Sequence, residues 1–171
     1  MKRSLLPGLA AALALAAHAA PALPQERMHT QASLLLGPSP YDMSGVGTGF
    51  AANLGATTRI GRSAFLVEPG LGYFTYRTRF GGRSQWLFPE IDFAAEASLG
   101  SLRPYLGAGF GAGFETRAGP NQVDLTLHAA AGLRLALGGS WGMRAELRLR
   151  SVDPFHGNTS DVGIGITRGI Y

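Results

Sequence analysis

From about His29 onward the chain alternates apolar with small or polar residues in eight separate segments, and no 3.6-residue periodicity is sustained anywhere along them. A side-chain period of two belongs to strands with two different faces. One face reads Leu34 and Leu36 in the first segment, Phe50 and Leu54 in the second, and Phe65, Leu71 and Tyr73 in the third. It continues through Leu87, Ile91 and Phe93 in the fourth, which runs to Leu99, then Leu106 and Phe110 in the fifth, and Val123 to Leu137 in the sixth. The seventh carries Trp141, Met143, Leu147 and Leu149, and the eighth Val162, Ile164, Ile166 and Ile170.

The opposite face distinguishes the two ways of closing such strands. It holds Gly47, Gly49 and Gly55, then Gly70 and Gly72, the run Gly107, Gly109, Gly111 and Gly113, then Gly132, Gly163 and Gly165, with charged residues between them. A soluble lipocalin-like barrel turns its apolar face inward; a membrane barrel turns it outward to lipid. Solvent-facing strands rarely spend so many positions on Gly, which weakens a strand. A narrow membrane barrel must fit its polar face inside, where small residues leave room for a few long charged ones. Composition agrees: 25 of 171 residues are Gly and only 15% are charged, against about 7% Gly and 25% charge in ordinary soluble domains. The expected fold is all-β, an eight-stranded antiparallel up-and-down transmembrane β-barrel, and the soluble ligand-binding barrel is the alternative.

Connections at Ile60 to Ser63, Gly100 to Arg103 and Gly138 to Ser140 read as tight turns. Those at Pro38 to Gly45, Thr78 to Ser84, Thr116 to Asn121 and Asp153 to Ser160 read as longer loops. Strict alternation puts both termini on the short-turn side, as periplasmic turns and extracellular loops require. Pro69 and Pro89 fall in neighbouring strands and would each remove a ladder bond.

The first residues have a different character. Lys2 and Arg3 precede an apolar run from Leu5 to Ala17 that ends in Ala17-His18-Ala19. A basic start, a short apolar core and a small-x-small site make residues 1–19 a secretory signal peptide, too short for a spanning helix of roughly 20 residues. Residues 20–28 are then a short linker and 29–171 the barrel. Removing the signal takes away the only Lys and one Arg, and lowers the formal charge from +4 to +2. No basic patch remains to suggest nucleic acid as a partner. Zero Cys excludes disulfides, thiol nucleophiles and Cys-ligated metals.

The segment Arg103-Pro-Tyr-Leu-Gly-Ala-Gly-Phe-Gly-Ala-Gly113, followed by Ala130-Ala-Gly-Leu-Arg134 and Trp141-Gly-Met-Arg-Ala-Glu146, resembles the small eight-stranded outer-membrane β-barrel family, the group of OmpX and the OmpA membrane domain. The resemblance covers roughly Gln31 to Tyr171. It implies an outer-membrane location and a monomer in contact with outer-membrane lipids and lipopolysaccharide. It also implies handling by periplasmic chaperones and by the barrel-assembly machinery, which recognises a C-terminal aromatic residue, here Tyr171. Tyr171 is out of parity with Ile166 and Ile170, so either a bulge lies near Arg168 to Gly169 or the signal is imperfect.

The inward charges are Glu68, Glu90, Asp92 and Glu96 on strands three and four, Arg134 on six, Arg144, Glu146, Arg148 and Arg150 on seven, and Asp161 on eight. Strands three and four face strand seven across an eight-stranded lumen, so these groups are expected to form a cross-lumen ion-pair network that plugs it. Hairpin arithmetic sets Arg134 opposite Arg144, His128 near Arg150, and Asp161 opposite Arg150. Trp86 and Phe88 point inward by parity, unless a bulge at Pro89 reverses them. His29, His128 and His156 lack metal-ligand spacing, so no metal or other cofactor is expected.

The function so implied is a non-enzymatic integral outer-membrane protein of envelope structure or surface interaction. A narrow small-solute channel is one alternative. Lipid A deacylases and palmitoyltransferases share the architecture, and the stretch Asp153 to Ser160 offers acid, imidazole and hydroxyl. Strand seven reads Arg148-Leu-Arg150-Ser151 where the deacylase carries His-x-Ser-Asn, so no catalytic residue is assigned.

Overall fold

The computed structural model describes residues 30–41, 47–77, 82–116, 122–153 and 157–170. The expected signal peptide and linker, His29, His156 and Tyr171 lie outside the described residues. Eight strands are present: β1 (Thr30–Tyr41), β2 (Gly47–Arg59), β3 (Phe65–Arg77), β4 (Arg83–Glu96), β5 (Leu102–Thr116), β6 (Gln122–Gly138), β7 (Trp141–Val152) and β8 (Gly157–Ile170). Each pairs antiparallel with the next, and β8 returns to β1, closing a barrel. Closure gives every strand a neighbour on both edges, which an open sheet of this length would leave bare at its two ends.

The alternating pattern sorts as its chemistry demands. Leu54 is 54% exposed, Val123 and Ile164 each 60%, while Arg144, Arg148 and Arg150 are at most 4% exposed. The apolar face is the outer wall and the ionic face the lumen. This is the reverse of a soluble ligand-binding barrel, which the structure excludes.

Thr30 pairs with Ile170, so the start of β1 and the end of β8 share one end of the barrel with the connections at 60–64, 97–101 and 139–140. The expected contrast between short turns and long loops is largely lost. β1 runs on to Tyr41 and β8 starts at Gly157, so the intervals 42–46, 78–82, 117–121 and 153–156 are no longer than 60–64 or 97–101. Turn-type residues inside continuing strands caused the overestimate. Only the β6–β7 hairpin is tighter, and it turns on Gly139 at φ 56°, a conformation that costs Gly little. β4 ends at Glu96, before Leu99, which makes only an isolated bridge to Leu102.

The uncertain registers are regular. The β2–β3 ladder skips Glu68 and Pro69, and the β4–β5 ladder skips Phe88 and Pro89, yet each resumes in the same register. A missing N–H interrupts the ladder without shifting it, so Trp86 and Phe88 keep their inward parity and are buried. Among the described residues the register shifts once, between Ala136 and Gly138. No bulge occurs at Arg168 to Gly169, where β8 stays in step with both neighbours. Between Leu36/Ile164 and Tyr41/Thr159 the β1–β8 ladder lapses, across a stretch containing Pro38 and Pro40.

Candidate functional site

β7 sets the pattern of the lumen. Its alternate residues Arg144, Glu146, Arg148 and Arg150 all point inward, spaced two residues apart, and reach strands on the far wall. Near the turn end, Arg144 Nη1 donates to both oxygens of Glu68 at 2.7 and 2.8 Å, and its Nη2 donates to Glu146 Oε2 at 2.5 Å. Arg134 joins from β6, at 3.1 Å to Glu68 Oε2 and 2.9 Å to Glu96 Oε2. Arg59 pairs with the other oxygen of Glu96.

One layer higher, Arg148 takes three carboxylates: Glu146 at 3.0 Å through Nε, Glu90 at 2.5 Å and Asp92 at 3.2 Å through its two amino groups. Arg150 grips Glu90 in forked fashion, Nε to Oε1 at 2.6 Å and Nη2 to Oε2 at 3.0 Å, and reaches Asp161 at 2.6 Å with Nη1. The planar guanidinium suits this fork. Ser39 donates to the other oxygen of Asp161, and Thr57 adds a further bond to Glu68 Oε2, which Arg134 and Arg144 already share.

All ten expected network residues are therefore brought together. Arg134 faces Arg144 and His128 faces Arg150, as hairpin counting requires. Asp161 differs: its register partner is Arg148, and it meets Arg150 diagonally. A long side chain on a twisted sheet reaches the diagonal neighbour as easily as the direct one.

Three members were missed, among them Arg59 on β2, paired with Glu96. Tyr105 on β5 donates to Glu146 at 2.6 Å and accepts from Arg144 Nε at 2.7 Å, with the guanidiniums of Arg134 and Arg144 at 4.6 and 4.9 Å from its ring centroid. Parity alone could have assigned it inward. His128 is wedged between β4 acids, Nε2 at 2.6 Å from Asp92 Oδ1 and Nδ1 at 3.6 Å from Glu90 Oε1. Sequence spacing could not reveal this, because the three residues meet across strands.

Among the described residues the network holds six carboxylates (Glu68, Glu90, Asp92, Glu96, Glu146, Asp161) against five guanidiniums (Arg59, Arg134, Arg144, Arg148, Arg150). Glu90, Asp92 and His128 are close enough for a cation to bridge them. The ring nitrogens face two different carboxylates, both already held by Arg148 or Arg150, so a divalent ion would have to displace guanidiniums and then sit beside them.

Glycine supplies the room. A Cβ on Gly109 would lie 2.4 Å from His128 Nε2, and one on Gly132 2.4 Å from the Tyr105 hydroxyl. Among the described residues, cavities of about 10 Å³ lie between the charged layers, one beside Glu90 and Arg148 and one beside Tyr105 and Arg134, each the size of a single water site. Toward the loop end the ionic filling gives way to Phe74, Tyr76, Trp86, Phe88 and Val152. Arg150 joins the two zones, its guanidinium 4.3 Å from the Phe88 ring centroid.

A closed antiparallel barrel that is apolar outside and ionic inside has the architecture of a small transmembrane β-barrel. The fold is that of the eight-stranded outer-membrane barrels. It is similar to Neisserial surface protein A, with a TM-score of 0.67 and 14% identity over 82% of this chain and 96% of that one. It is also similar to the N-terminal β-barrel domain of Pseudomonas aeruginosa OprF, at TM-score 0.55 and 16% identity over 82% and 96% of the two chains. The outer membrane enzyme PagL matches at TM-score 0.51 and 17% identity, over 82% of this chain and 99% of that one. No family model matches the sequence, and no curated protein matches it.

Proposed function

We propose that the chain is an integral outer-membrane protein with no enzymatic activity, its termini in the periplasm and its lumen closed by ion pairs. Its contribution is to envelope structure or surface interaction. The observation that carries this reading is the cross-lumen network itself: Arg148 spans from β7 to Glu90 and Asp92 on β4, so the ionic side chains occupy the cross-section through which a solute would pass. Eight strands leave an interior just wide enough for side chains. Outer-membrane location is supported by the exposed apolar belt and by the likeness to outer-membrane barrels.

Planar-bilayer conductance tests the closed lumen. The wild-type protein should be silent and Arg148→Ala should show openings; steady wild-type openings would favour the small-solute channel instead. PagL shares the fold and is an enzyme, so lipid A mass spectra with and without expression of this chain test the absence of acyl chemistry. An altered acyl pattern would overturn the non-enzymatic reading.

A further inference from the structure

At the loop end, the outer wall of the barrel terminates in two arginines set side by side. Arg77 closes β3, Arg83 opens β4, and the two are direct register partners. Both are exposed and share the outward face with Tyr73 and Leu87. Like charges directly opposite one another in an antiparallel pair repel, and among the described residues neither arginine makes an ion pair. The outward-facing Arg168 at the turn end is placed differently, against the Trp141 ring at 5.0 Å.

What lies beneath the pair is graded. Successive outward register pairs are Leu71/Pro89, Tyr73/Leu87, Thr75/Gln85 and Arg77/Arg83. They run from apolar through aromatic and hydrogen-bonding to cationic. At about 3.3 Å per residue the arginines stand roughly 13 Å beyond Tyr73 along the strand. A bilayer lipid presents the same order along its length: acyl chain, ester region, charged headgroup. Two guanidiniums on neighbouring strands can also fork onto one phosphate, which would offset the repulsion between them.

We propose that Arg77 and Arg83 form a docking site for the phosphorylated headgroup of a membrane lipid whose acyl chains lie along the β3–β4 outer face. This rests on the membrane reading above and adds a specific partner to it. Charge complementarity selects an anionic phosphate over a neutral headgroup, and the apolar strip below selects a lipid over a free anion.

The test uses the full-length protein folded into phosphatidylcholine nanodiscs, with phosphatidic acid as the doped lipid and native mass spectrometry to read retained lipid. Removing one arginine as Arg77→Gln or Arg83→Gln should weaken retention about fivefold, and removing both about 25-fold. Arg77→Lys with Arg83→Lys should recover part of it, and Arg62→Gln at the turn end should change nothing. Equal retention by the wild type and the double Gln variant would overturn the site. Displacement of the lipid by inorganic phosphate would overturn the lipid as its occupant. Failure of the wild type to insert into pure phosphatidylcholine, read by the heat-modifiable gel shift, would instead sink the membrane reading on which the site depends.

Discussion

The two zones of the lumen hold the barrel together by opposite means. In the ionic zone, β7 reaches across to β3 and β4, and each guanidinium serves two or three partners. In the aromatic zone, Phe74 stacks on Tyr76 at 5.2 Å and Trp86 on Phe88 at 5.7 Å, so each stacked pair lies within one strand. The ionic zone ties distant strands at fixed distances and tolerates no missing partner. The aromatic zone fills space between adjacent strands, where a smaller side chain leaves only a void.

The sharpest break in that contrast is Arg150→Ala. It would leave Glu90 and Asp161 short of a partner while fully enclosed, at a cost of roughly 3 to 5 kcal/mol. Urea unfolding in lipid vesicles, followed by the gel shift, should show a large fall in midpoint. Pairing the change with Glu90→Gln should return part of the loss, because the uncompensated charge is then removed; no recovery would mean that the network acts by packing.

Gly132→Ala is expected next, at roughly 1 to 3 kcal/mol, since its Cβ would stand 2.5 Å from the Ala145 carbonyl as well as against Tyr105. The same measurement checks it, and Tyr105→Phe in that background should not rescue it, because the backbone clash remains. Phe74→Leu in the aromatic zone should cost about 1 to 2 kcal/mol, the scale of a partly refilled cavity. If it proves as costly as Arg150→Ala, the two zones do not differ in kind. The smallest effect belongs to the outer wall: Trp141→Leu keeps the apolar contact and loses the stacked Arg168, about 0.5 to 1 kcal/mol.

Much of this was legible in the chain because parity is a local property. Whether Arg148 faces in or out follows from its neighbours Leu147 and Leu149 alone, and all ten expected network residues could be assigned that way. Height across the lumen is different. It depends on how the strands stagger around the barrel, and even between neighbours it depends on where the connection turns: β7 and β8 pair in a register that sets Asp161 against Arg148, so it meets Arg150 on the diagonal. His128 was set aside because metal spacing is judged along the sequence, whereas β4 brings Glu90 and Asp92 to it through space. Loop length failed for another reason: Pro38 and Pro40 are turn residues by composition, yet β1 continues through them by pairing with Phe50 and Thr48.

That same stretch of β1 makes the ring of strands uneven in time. Pro38 and Pro40 have no amide hydrogen to offer β8, and residues 160–163 there pair with β7 but not with β1. The carbonyls of that segment that face the prolines meet no N–H, and no register pairing holds its amides to β1. In deuterium exchange those positions should label well ahead of the continuous β5–β6 interface, marking the join between first and last strands as the place where the closed ring opens most often.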